Sequence, residues 1–113
     1  MNYAKPTYRQ DYQSTSNNFY NNRKWKGFSM DYRKNNPLCE NCTRANIVAL
    51  AKVCDHIVAM KVGGAKYDKA NIQALCRHCD QRKRRMERDG KIVIDFKTNE
   101  AGELIPRGEV QVF

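Results

Sequence analysis

Residues 39–84 read CENCTRANIVALAKVCDHIVAMKVGGAKYDKANIQALCRHCDQRKR, and two paired-cysteine turns bracket this stretch. Cys39 and Cys42 form the first CxxC pair, Cys76 and Cys79 the second, with 33 residues between the pairs. A two-residue spacer lets a tight turn aim both thiolates at one ion, and two such turns complete a closed tetrahedron of soft ligands suited to Zn²⁺. A closed shell leaves no position for water, so the expected zinc is structural, a staple joining the first turn to the helix that follows the second. The paired spacing favours zinc over a redox dithiol or four unconnected thiols. His78 lies inside the second pair and could replace a thiolate, but four cysteines already suffice, and Cys54, beside Val53, reads as a small buried side chain.

Outward from this stretch, the chain of 113 residues holds one compact domain with a modest core, for which a metal staple is useful. It is 41% hydrophobic with a mean hydropathy of -0.83 and a formal charge of +9. No apolar run approaches the roughly 20 residues needed to span a bilayer, and the first residues lack the apolar segment of a secretory signal. The expectation is a soluble, unexported, cytoplasmic protein without membrane attachment, in which five cysteines serve metal binding rather than disulfides. Residues 1–34 carry seven Lys/Arg against two acids, and residues 77–91 carry seven against three. Charge gathered in two segments suits a polyanionic partner, because each phosphate neutralised releases condensed counterions. Charge alone leaves open a merely solvated basic face.

The division expected along the chain is a flexible arm over 1–17, a domain over 18–95 and a tail over 96–113. The arm is rich in Asn, Ser, Gln and Tyr. From Asn18 to Lys34, Phe19, Trp25, Phe28 and Tyr32 recur at near-helical spacing, which predicts an amphipathic helix stopped by Pro37. Ile47-Val48 and Val53 to Val58 predict two short antiparallel strands. A glycine loop follows, then an extended piece over Asn71 to Leu75. Arg77 to Arg88 reads as a charged helix ended by Gly90, and a strand opens the C-terminal segment.

Between the cysteine pairs, Asp55-His56 closes an apolar strand, Gly63-Gly64 and Asn71 follow, and Asp80 comes directly after the last cysteine. Phosphodiester hydrolysis needs a base to activate water, a cation to stabilise developing charge, and a group to hold the base in orientation. These residues supply those parts. Taken alone, an Asp-His pair at a strand end is commonly structural, and Asp80 also reads as a first-turn acid paired to Lys83 or Arg84.

Jointly, FYNNRKWKGFSMDYRKNNPLCENC, the DHIV core, the GG loop, NIQALC and CRHCDQRK resemble the zinc-ribbon HNH endonucleases of the ββα-metal, or His-Me finger, superfamily, especially small phage and prophage members. The likeness runs from Phe19 to Arg84. It implies an α+β fold: a ββα-metal finger stapled by four cysteines, with an N-terminal amphipathic helix and a short C-terminal strand. It implies a DNA endonuclease in a bacterial host cell, with His56 as general base and Asn71 bonding across the loop to hold the His56 region. Asp55 would hold a divalent ion, Mg²⁺ or Mn²⁺, and phage terminase or portal proteins are the implied partners in genome packaging. At the third signature position, usually a histidine, this chain has Asp80, a hard oxygen ligand that favours Mg²⁺ and Mn²⁺ over softer metals. Relatives often read DHIVPH where this chain has Ala59 and Met60 after Asp55 to Val58. Arg77, Arg82, Lys83 and Arg84 are the expected DNA contacts, gripping phosphates without reading bases, with Lys83 matching a family position. A noncatalytic zinc-ribbon module that binds nucleic acid is the competing reading.

Overall fold

The computed structural model describes residues 18–92 and 94–113. The expected arm over 1–17 lies outside them. The chain forms two compact units, Met1–Asp31 and Tyr32–Phe113.

In the first unit the helical segment that the aromatic spacing predicts is broken at Asn21-Asn22. The Asn22 side chain accepts from the backbone N–H of Trp25 at 2.7 Å, an N-cap that starts a fresh helix, α1, at Arg23–Asn35. Trp25 is buried, stacks on Phe28 at 5.6 Å and meets Phe19 and Tyr20. It is a packing anchor.

The second unit begins with the end of α1 and the first cysteine turn, which opens a short helix α2, Glu40–Arg44. Strand β1, Val53–His56, pairs antiparallel with β2, Ile72–Leu75, in the register Asp55 opposite Gln73 and His56 opposite Ile72. Helix α3, Arg77–Arg88, follows β2 through Cys76 alone and ends with Gly90 at φ +69°. The ββα arrangement is therefore built from β1, β2 and α3, with β2 buried along its whole length. Cys39, Leu75 and Cys79 form one core cluster, against which Ala49, Val53 and Phe113 pack. Ile57, Val58, Ala65, Ile72 and Ile105 are buried as well.

Two expectations need correction. Ile47-Val48 is not a strand: Ile47 and Val48 are 55% and 82% exposed, and this segment closes the cysteine turn instead. Asn46 takes a left-handed conformation at φ 63°, and Ile47 N–H donates to the Cys42 carbonyl at 2.8 Å. An asparagine that tolerates positive φ ends α2 here, so β-branched propensity is overridden by the turn. In the C-terminal segment, the single strand is a hairpin, β3 Phe96–Thr98 with β4 Leu104–Pro106. It is bound to the loop between β1 and β2: Ala65 N–H donates to the Leu104 carbonyl, and Leu104 N–H to that of Gly63, both at 3.0 Å.

That loop explains the paired glycines. Gly63 sits at φ +100°, which side chains disfavour. Gly64 is constrained by space: a Cβ there would lie 1.8 Å from the Val58 carbonyl oxygen and 2.8 Å from that of Ala59. Both obstacles are backbone and cannot rotate away. Gly64→Ala is expected to cost about 3 kcal/mol or more in denaturant unfolding, since relief requires moving the backbone beside His56.

Asp68 ties the same loop to the hairpin. Its carboxylate accepts from Asn99 and from Ala70 N–H, each at 2.9 Å. The Asn99 bond, then the Ala70 bond, hold its acidity below the ordinary carboxylate range despite some burial. A depressed folded pKa contributes stability that is present above the unfolded value near 4 and is lost as pH falls through the folded one. Asp68→Asn should therefore melt a few degrees below the parent at pH 7, and the gap should narrow as the pH is taken below about 4, the ordinary aspartate value.

Candidate active site

The two cysteine turns come together. The sulfur atoms of Cys39, Cys42, Cys76 and Cys79 all lie within 4.8 Å of one another, with Cys42 to Cys76 at 4.0 Å and Cys42 to Cys79 at 3.6 Å. Metal–sulfur bonds of about 2.3 Å in a tetrahedron require sulfurs about 3.8 Å apart, so the donor set fits a metal ion of that kind. At Cys39 burial pushes the thiol up, but hydrogen bonds from the Cys42 and Cys76 backbone outweigh it and bring it to about 7, whereas burial and the neighbouring sulfurs push the Cys42 and Cys79 thiols up. His78 is exposed and stands outside this group. The lone Cys54 is half-buried in β1.

The chain turns back through the loop after β1, and Asn71 ties the two ends of that loop together. The Asn71 carboxamide, fully buried, accepts from Val58 N–H at 2.7 Å and donates to the carbonyls of Val58 at 3.0 Å and Ala65 at 2.8 Å. Its backbone carbonyl takes the Ile57 N–H at 2.8 Å. The segment immediately after His56 is thus fixed by one side chain.

His56 is 3% exposed, and its Nε2 lies 2.9 Å from the Lys66 carbonyl oxygen. A carbonyl only accepts, so Nε2 donates, and in the neutral ring Nδ1 carries the basic lone pair. Burial lowers the pKa of the ring; the Lys66 bond opposes this and the nearby Lys83 charge adds to it. The net effect favours the neutral imidazole, the form that accepts a proton.

Asp55, one residue earlier, faces a different set of groups. Its Oδ2 accepts from Gln73 Nε2 at 2.9 Å and lies 3.2 Å from the Lys83 ammonium. Burial raises its pKa to about 6; Lys83 and Gln73 hold it down, while the charge of Glu87 adds to the rise. Lys83, expected among the DNA contacts, is turned inward. It is 1% exposed, bonds the His56 carbonyl at 3.1 Å and pairs with Glu87 at 2.9 Å. Its ammonium is committed inside the ββα unit, because position 83 lies on the face of α3 that packs on β1. Asp80, one turn earlier on that face, pairs with Arg84 at 3.4 Å. Among the described residues, no three ligating side chains other than the four cysteines lie together, so Asp55 and Asp80 are not part of such a cluster. Arg77, Arg82 and Arg84 are exposed, as are Arg85 and Arg88, and they form the outer face of α3.

Sequence reasoning passed over Arg44. Its Nη2 donates to Gln73 Oε1 at 2.9 Å across 29 residues of sequence. No spacing announces that contact. Gln73 is fully buried, and its register opposite Asp55 brings the two side chains together.

Residues 39–85 match the HNH endonuclease family. The HNH match spans both cysteine turns, Asp55-His56, Asn71 and Asp80. A search of curated protein sequences found no match. Among solved structures, the crystal structure of the HNH endonuclease of the deep-sea thermophilic bacteriophage GVE2, with a manganese ion, is similar. The TM-score is 0.56 at 24% identity, covering 80% of this chain and 98% of that one. The likeness establishes an HNH-like fold. None of the helices among the described residues is long and apolar enough to cross a membrane.

If the four sulfurs bind one ion, elemental analysis of the purified chain should give one structural metal per molecule. Cys39→Ser should release it and melt the domain, read as lost metal together with a fall in melting temperature of more than 10 °C. A metal-free Cys39→Ser protein that melts like the parent would refute the staple.

Proposed function

We propose that the protein is a divalent-metal-dependent endonuclease that hydrolyses DNA phosphodiester bonds with low sequence specificity, with Zn²⁺ held by the four cysteines. The observation that carries this reading is the buried His56 ring bonded through Nε2 to the Lys66 carbonyl, beside a carboxylate, in a segment that matches the HNH family. His56 takes the proton of the attacking water at Nδ1. Asp55 offers Oδ1 to the cation, Mg²⁺ or Mn²⁺, with Asp80 as the second candidate oxygen ligand. When bound, such a cation stabilises the charge that develops on the phosphate and the departing oxygen. Asn71 keeps the turn after His56 from moving. The outer arginines of α3, Arg77, Arg82 and Arg84, bind phosphates flanking the scissile bond, a contact that positions DNA without reading its sequence. Phage packaging proteins such as terminase and portal, which the sequence resemblance implies, are the proposed partners.

Incubation of supercoiled plasmid with the purified protein and Mg²⁺ or Mn²⁺ is expected to give nicked or linear DNA. His56→Ala should slow this by about 10²–10⁴-fold, the range of a lost general base, and still bind the structural metal. Retained DNA binding with no cleavage in either ion would instead identify a noncatalytic binding module.

A further inference from the structure

The carboxylate of Asp55 is held from one side only. Gln73 and Lys83 both address Oδ2, which leaves Oδ1 as the oxygen offered to a cation. Gln73 is fully buried, and a carboxamide in its place can point either way round unless a neighbour decides. Arg44 decides it. A guanidinium has only donors, so the Gln73 oxygen must face Arg44 Nη2 and the Gln73 amide nitrogen must face Asp55. Turning the amide over would set donor against donor at Arg44 and acceptor against acceptor at Asp55. The Arg44 side chain is half-buried, and its Nε has no hydrogen-bond partner among the described residues.

We infer that Arg44 and Gln73 are positioning residues that orient the Asp55 carboxylate for a divalent cation. Arg44 is the last residue of α2, the helix that carries Cys42. The same turn that holds the structural metal therefore sets the outermost member of a chain running from Arg44 through Gln73 to Asp55. Groups behind a metal ligand that fix its orientation typically change metal affinity by about 10–100-fold when removed. The inference rests on Asp55 being a ligand, as proposed above.

The test uses the full chain with its cysteine site loaded and without DNA. Mn²⁺ binding is followed by the electron paramagnetic resonance signal of free Mn²⁺, and plasmid nicking is measured separately across a Mn²⁺ series. Arg44→Met and Gln73→Met are expected to weaken Mn²⁺ binding about tenfold or more. The Mn²⁺ needed for half-maximal nicking should rise by the same factor, with much of the rate recovered at saturating Mn²⁺ and the structural metal retained. Arg44→Lys, which keeps a donor for the Gln73 oxygen, should lose less than Arg44→Met and provides the comparison if the methionine variant fails to fold. Unchanged Mn²⁺ affinity in the variants, with a parent that binds Mn²⁺ and nicks DNA, would overturn the positioning role and leave the nuclease reading intact. A parent that neither binds Mn²⁺ nor nicks would overturn the nuclease reading itself.

Discussion

Four sulfur atoms gathered within 4.8 Å repel one another as thiolates unless a cation lies between them, and the second unit is arranged around that requirement. A two-stranded sheet of four-residue strands is not stable by itself, and the core cluster beside it holds only Cys39, Leu75 and Cys79 as fully buried members. A metal bound there would join the start of α2 to the start of α3, close a long loop in the unfolded chain and so convert binding energy into folding energy. Its effect reaches the chemistry by a short path. Leu75 ends β2 and Cys76 is the next residue, so fixing Cys76 fixes the register of β2 against β1, and with it Gln73 opposite Asp55.

The loop after β1 meets a second constraint, the accounting of buried backbone polar groups. A buried turn leaves N–H and carbonyl groups that water cannot reach. Asn71 answers for three of them with one carboxamide, matched to Val58 N–H and to the carbonyls of Val58 and Ala65. No aliphatic side chain of similar volume can do this, and aspartate lacks the two donors. Gly64 belongs to the same packing, since the chain passes close to the Val58 carbonyl. Asn71 bonds Ala65, the residue before Lys66, whose carbonyl meets the His56 ring.

What the sequence made legible was local or repeated chemistry. The CxxC spacing placed the four sulfurs, the near-helical aromatic spacing placed α1, and Gly90 marked the end of α3. It misled where tertiary demand overrode propensity. Ile47-Val48 has the composition of a strand, yet the cysteine turn needed those residues to close it, and β1 found its partner in β2. The hairpin of β3 and β4 was invisible as a pair because its purpose is contact with Gly63 to Ala65, far away in sequence. Lys83 was the hardest case. Within a run of basic residues at 82–85 nothing in the composition distinguishes one, and only the rotation of α3 places Arg82, Arg84 and Arg85 outward and Lys83 inward.

That inward lysine shapes the electrostatics of the site. Its single positive charge stands between two carboxylates, Asp55 at 3.2 Å and Glu87 at 2.9 Å. Lys83 thus brings two acids together without neutralising both, and Asp80 lies one turn away on the same face of α3, its charge shared with a largely exposed Arg84. The rise of the Asp55 pKa to about 6, to which the charge of Glu87 contributes, is the expected response of a carboxylate that is desolvated and incompletely matched. A residual negative charge in a poorly hydrated place is the condition under which a divalent cation gains most. Lys83 in this arrangement sets how much negative charge is left over. A phosphate contact at the surface would make no use of its burial.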